Sequence, residues 1–284
     1  MKAKIFIGIL FLVGIFVLLY PTISDYLNSR SQAQVVENYS DEVSRMQEAE
    51  VAKELQRARD YNENLARTIV IDPFTETLNQ ELSEDYQNIL SVNNGQIGTI
   101  KIPKISVELP IYHGTSPEVL QKGVGHLQNT ALPVGGAGTH VVLSGHRGLP
   151  EAKLFTDLDE LIIGDKFYIE VLNETLAYQI DQIKTVLPDQ TEALQPVDGE
   201  DYVTLVTCTP YAVNTHRLLV RGKRTAFTPE AKEEIKQQEE TGGESDKNEL
   251  LLLAGAGFAT LVFFYLLFFG SGRRRKEGDV KDGK

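Results

Sequence analysis

The sequence predicts a mostly β domain, closed or sandwiched and antiparallel, held outside a membrane between two apolar helices. Three observations predict this class. An apolar run flanked by cations stands at each end of the chain, and a helix-forming stretch without glycine or proline follows the first run. From Ile97 onward the texture changes to short β-branched runs punctuated by glycine and proline.

The first apolar run, Ile5 to Tyr20, follows Lys2 and Lys4 and ends at Pro21; the second, Leu250 to Phe269, precedes Arg273, Arg274, Arg275 and Lys276. Each approaches the ~20 residues needed to cross ~30 Å of hydrocarbon. Bulky Leu18, Leu19 and Tyr20 occupy the place where a signal-cleavage site needs small side chains, so residues 1–21 read as a retained anchor. Residues 250–270 read as a second span and 271–284 as a basic tail. Cations at both outer ends put both termini in the cytoplasm and the intervening chain on the outer face of the lipid bilayer.

Residues 22–68 form the next unit. Val43, Met46, Leu55, Ala58 and Leu65 recur at loosely helical intervals, predicting amphipathic helices. A solvated stalk is the first reading, and an arm packed on the main domain is the second. The β domain proper spans 93–227. Its predicted strands are Ile97–Ile102, Val107–Tyr112, His140–Leu143, Lys166–Leu172, Ala177–Val186, Tyr202–Thr207 and His216–Arg221, with short helical pieces at Ser116–Gln121 and Ala152–Leu158. Residues 228–249 are rich in Glu, Lys and Gln and read as a charged spacer. A surplus of acid, 40 Asp and Glu against 28 Lys and Arg with a formal net charge of -12, argues against nucleic acid as a partner.

Cys208 is the only cysteine, so an intrachain disulfide is excluded and the thiol is either reactive or packing. It ends the run Val203-Thr-Leu-Val-Thr-Cys-Thr-Pro210. Among five histidines, His146 stands apart in Leu143-Ser-Gly-His-Arg-Gly148, directly after an apolar strand, where glycines let the backbone turn and present a side chain. His113, His126, His140 and His216 lack that setting and read as surface or structural histidines. Arg217 opens the strand that follows Cys208 across a hairpin-length loop, which brings thiol and guanidinium to one rim. A cation there can steady an oxyanion. Spacing alone does not make these three residues a site. No metal or other cofactor is expected, because there is no cysteine pair, HExxH or EF-hand pattern, and Gly135-Gly-Ala-Gly138 precedes a strand and not a helix.

The motifs Thr204-Leu-Val-Thr-Cys-Thr-Pro210, Leu143-Ser-Gly-His-Arg-Gly148 and Asn214-Thr-His-Arg-Leu-Leu-Val-Arg-Gly222 together resemble the active-site strands of a sortase, the membrane-anchored cysteine transpeptidase of Gram-positive bacteria. The resemblance runs from about Asp72 to Arg224. It implies an eight-stranded β-barrel with Cys208 as nucleophile, His146 as general acid/base and Arg217 as the oxyanion- or substrate-orienting residue. The second apolar span and Asp72-Pro73-Phe74 resemble the class C, pilus-assembling subclass, in which a lid carries an Asp-Pro-aromatic motif into the active site. By that likeness residues 69–92 are a lid, Asp72 pairs with Arg217, and Phe74 covers Cys208. The implied partners are pilins or surface proteins bearing LPxTG-like sorting signals. The implied reaction cleaves between Thr and Gly through a thioester and passes the acyl group to a pilin lysine. The rival within the class is a housekeeping enzyme that joins proteins to cell-wall precursor. A reading as wall-anchored cargo fails at the tail, where Gln238-Glu-Glu240 precedes Thr241-Gly242 and no Leu-Pro is present.

Overall fold

In the computed structural model, the described residues are 2–65, 70–74, 82–93, 95–233 and 235–236, with residues 255, 257, 260 and 262–264 near the C-terminus. Eight strands close into a barrel in the order β1-β2-β3-β4-β7-β8-β6-β5. They are β1 (Gln96–Ile102), β2 (Val107–His113), β3 (Val124–His126), β4 (Thr139–Ser144), β5 (Lys166–Val171), β6 (Glu174–Val186), β7 (Asp201–Thr209) and β8 (His216–Thr225). Seven of these fall on the runs of β-branched residues. The eighth, β3, is three residues long and carries no periodic signal; only pairing with β2 and β4 makes it a strand.

The sheet departs from the antiparallel expectation in two places, where β2 pairs with β3 and β4 pairs with β7 in parallel. Parallel neighbours need a crossover between them, and the crossover from β2 to β3 is the helix α4 (Pro117–Lys122). Ser116 caps it by accepting the Val119 N–H, and Pro117 sits in the first turn. The helix expected over 152–158 is not formed: those residues make turns, followed by a single 3-10 turn at Leu158–Glu160. Its apolar side chains Leu154, Phe155 and Leu158 are nevertheless buried, so the run of apolar residues reports packing and not periodicity.

Two helices precede the barrel. Helix α1 (Lys2–Arg45) continues without interruption through Pro21, and α2 (Glu48–Asn64) follows after a two-residue corner. At 1.5 Å per residue α1 is about 66 Å long. Its N-terminal half is long and apolar enough to cross a membrane and is little covered by protein, with Leu18 79% exposed. The stalk reading is corrected. Tyr39 and Val43 of α1 and Val51, Leu55 and Ala58 of α2 join the same apolar cluster as Ile97, Ile100 and Ile111 of the barrel. Each such side chain withdrawn from water contributes about 1.5–3 kcal/mol, which fixes the helices as a packed arm. Helix α1 lies against β2 and β1, and every residue of β1 is buried, Lys101 between Glu108 of β2 and Glu170 of β5.

A short helix α3 (Glu84–Gln87), inside the expected lid segment, is pinned by Tyr86. That fully buried phenol lies 2.7 Å from His126 Nδ1, donates to the His126 carbonyl and accepts the Gly114 N–H. The start of the expected spacer, 229–233 and 235–236, is helical and returns Ala231 and Ile235 onto Tyr168 and Ala177 of the barrel. The rest of the spacer and most of the expected second span lie outside the described residues; those described there are helical, and the Phe263 ring lies 4.4 Å from that of Phe11.

Candidate active site

Strand alternation decides which side chains of β4, β7 and β8 meet. Val141, Leu143, Val203, Leu205, Leu218 and Val220 point into the barrel core. The alternate residues Val142, Val206 and Leu219 form a separate cluster on the outer face with Val70, Leu127 and Leu194. Cys208 shares parity with Val206 and Arg217 with Leu219, so thiol and guanidinium lie at the end of this apolar groove and not in the core.

Register then brings them together. In the β7–β8 ladder Cys208 stands directly opposite Arg217. In the parallel β4–β7 ladder Ser144 stands opposite Val206, and continuing it by two residues brings His146 level with Cys208. The chain after β4 is stitched to β7 by Gly145 N–H to the Val206 carbonyl at 3.1 Å and by Thr207 Oγ1 to the Gly145 carbonyl at 2.8 Å. Gly145 is required there, since a Cβ would stand 2.7 Å from the Phe155 ring.

Arg217 is held from two sides. Its Nε and Nη2 each donate to one Asp72 carboxylate oxygen at 2.7 Å, a bidentate pair, while Nη1 donates to the Asn214 and His216 carbonyls. Asp72 and Arg217 are both buried. Phe74 packs on the same groove. Its ring centroid lies 5.7 Å from that of His146 and 5.1 Å from the Arg217 guanidinium, and its side chain packs on the groove cluster. The described contacts of Phe74 are therefore to the imidazole and guanidinium that flank the thiol.

Burial sets the protonation states. It pushes the Cys208 thiol up from its ordinary value; Arg217 pulls the other way, and Asp72 adds to the rise. Burial also lowers the His146 imidazole. In this arrangement burial favours the uncharged form of both groups.

A protein-family model described as the sortase domain matches residues 100–225. Sortase C of Streptococcus pneumoniae, described for its pilin substrate specificity, is 47% identical, with 69% of this chain and 98% of that one covered at a TM-score of 0.64. Sortase C1 of Streptococcus agalactiae is likewise 47% identical over 69% of this chain and 97% of its own, at a TM-score of 0.64. The chain belongs to the sortase family. Its likeness to the pilus-related enzymes places it in class C. Among curated relatives, sortase D of Bacillus subtilis is 33% identical over 130 residues, 45% of this chain and 63% of that protein. Sortase A of Bacillus anthracis is 32% identical over 126 residues, 44% of this chain and 58% of that protein. The chain thus spans less than two thirds of the length of either curated relative.

In this sortase one neighbour of Cys208, His146 and Arg217 escaped the sequence reading. Arg147 follows His146, and its side chain is 10% exposed. Nη1 donates to Thr209 Oγ1 at 3.3 Å, Nη2 to Asp159 at 2.5 Å, and the buried Nε has no partner among the described residues. The guanidinium ties the His146 turn to the residue after Cys208. The signal was present in the adjacency of an imidazole and a guanidinium in a strand-end turn, but nothing in spacing distinguished it from a solvated arginine. Of the other histidines, His126 and His140 are buried and hydrogen bonded, His126 to Tyr86 and Ala131 and His140 to Gln195 and Thr204. His113 is buried against Tyr86, and His216 contacts Thr215.

Proposed function

We propose that this class C sortase is a membrane-anchored cysteine transpeptidase that polymerises pilins, with Cys208, His146 and Arg217 as its catalytic groups and Asp72, Pro73 and Phe74 as its lid. The catalytic domain lies outside the cell and both termini are cytoplasmic. The observation that carries this reading is the bidentate Asp72–Arg217 pair with Phe74 seated on His146, opposite the Cys208–Arg217 strand pair. An Asp-Pro-aromatic segment laid across a nucleophile's groove is a cover for a reactive thiol. The pilin specificity described for the Streptococcus pneumoniae relative points to the same substrates.

In this reading the sorting signal replaces the lid in the groove floored by Val142, Val206 and Leu219. Departure of Asp72 removes an influence that raises the Cys208 pKa and frees the Arg217 fork. The Cys208 thiol passes its proton to His146 as sulfur attacks the threonine carbonyl carbon of an LPxTG-like signal, and Arg217 holds the oxyanion. The bond to glycine breaks as His146 gives its proton to the leaving amine. A lysine amine of a second pilin then attacks the thioester, its proton passes to His146, and the thiolate leaves.

The test is to incubate the protein with LPxTG-like peptides and a lysine-bearing pilin segment, and to follow adducts by mass spectrometry. The expected result is an acyl group on Cys208 cut after threonine, transferred to lysine and absent in Cys208→Ala. Transfer to a cell-wall precursor amine with none to lysine would favour the housekeeping alternative.

A further inference from the structure

The contacts of α1 with the barrel fall on one stripe. The Lys153 N–H donates to Asp25 Oδ1 at 2.8 Å, and Asn28 Nδ2 donates to the Glu151 carbonyl at 2.6 Å. Gln32 reaches the Lys122 carbonyl, Asn93 reaches the Val35 carbonyl, and Tyr39 Oη bridges Ile97 and Leu172. Positions 25, 28, 32, 35 and 39 are three and four apart, so they share a helix face. The apolar run ends at Tyr20, whose hydroxyl lies 3.5 Å from Glu151, and the helix does not break between there and the stripe.

This geometry has a height. Asp25 and Asn28 lie about 8 and 12 Å along the axis from Tyr20, and the polar layer outside the hydrocarbon is roughly 5–8 Å deep on each face. The Leu149–Lys153 loop therefore lies at the outer edge of the headgroup layer, with the Glu151 side chain reaching back to Tyr20. It is also the loop that carries the candidate acid/base: two residues after Lys153, the Phe155 N–H donates to the His146 carbonyl at 3.1 Å. Two hydrogen bonds and two residues separate the anchor helix from His146.

We propose that α1 is a strut that rests the His146-bearing loop on lipid headgroups, and thereby confines the enzyme to acyl donors and acceptors tethered in the same membrane. This rests on the transpeptidase reading above for its substrates, and on α1 as the anchor for its geometry. A flexible tether would let the barrel sample many heights. A helix docked through five positions does not.

The test uses the full chain in phosphatidylglycerol-containing vesicles, with and without ten Gly-Ser residues inserted between Ser24 and Asp25, which leaves the docked stripe intact. The first readout needs no activity. In a Cys208→Ala background, a fluorophore on Pro150→Cys is expected to be quenched by a headgroup nitroxide, with quenching reduced at least threefold by the insertion. The second compares one sorting peptide free in solution and the same peptide attached to vesicle lipid. The insertion is expected to lower the rate on the tethered peptide at least tenfold and to leave the soluble rate within twofold. Equal quenching in both proteins, or an unchanged tethered rate, would overturn the strut. A parallel loss on the soluble peptide would also overturn it, since α1 would then be serving the fold of the barrel. If the quenching difference holds but neither protein acylates any peptide, the strut stands and the transpeptidase reading fails.

Discussion

Asp72 and Arg217 divide the control of the thiol between them. Burial is the main cause that raises the Cys208 pKa; against that background the Arg217 guanidinium lowers it and the Asp72 carboxylate raises it further. Removing the carboxylate therefore moves the thiol pKa down, and opening of the proposed lid would relieve the burial in the same direction. Asp72→Ala is expected to shift the pH profile of Cys208 alkylation to lower pH and to raise its rate at pH 7; iodoacetamide kinetics across pH would show this, and an unmoved profile would remove Asp72 from the site. Arg217→Lys keeps the charge but loses the planar fork, so acyl transfer is expected to fall by about 10²-fold or more, as for loss of an oxyanion donor. Steady-state assays would distinguish it from a neutral change.

The arm helices act through a few buried groups. Tyr39, 3% exposed, donates to the Ile97 carbonyl at 3.0 Å and accepts the Leu172 N–H at 2.8 Å, so one hydroxyl of α1 satisfies backbone groups at β1 and just after β5. Tyr39→Phe removes both of these buried hydrogen bonds and is expected to cost about 1–3 kcal/mol, read as a lower denaturant midpoint. Leu55→Ala removes a buried side chain of α2 and is expected to cost about 2–5 kcal/mol. A solvated stalk would register neither substitution. Amphipathic spacing at Val43, Leu55 and Ala58 was visible in the chain, but which surface that face meets was not, because apolar periodicity specifies a buried stripe without naming its partner.

Two histidines couple the barrel as a whole to pH. Burial lowers His126 to about 3 and His140 to about 4, both below the ordinary value of an unfolded chain. Between pH 6.5 and 4 the unfolded state thus binds more protons than the folded one. Stability is expected to be full above pH 6.5 and to fall by roughly 1.4 kcal/mol per pH unit for each histidine as the pH drops through that window. Urea unfolding at pH 7 and pH 5 would test it, and replacing His140 by Gln should reduce the difference by about half, the His126 share remaining.

Much of this molecule is written in local pattern. The apolar N-terminal run, the arm helices, seven of eight strands and the motifs around Cys208, His146 and Arg217 are properties of neighbouring residues, and short-range sterics and hydrophobic alternation make them legible along the chain. Other features depend on which strands become neighbours: the existence of β3, the two parallel pairings, the closure of the barrel, the docking of α1 and the place of Arg147. Strand order follows from how distant segments bury one another's faces. A ladder that sets Cys208 opposite Arg217, and Val206 opposite Ser144 two residues before His146, is settled only when all three strands share a sheet.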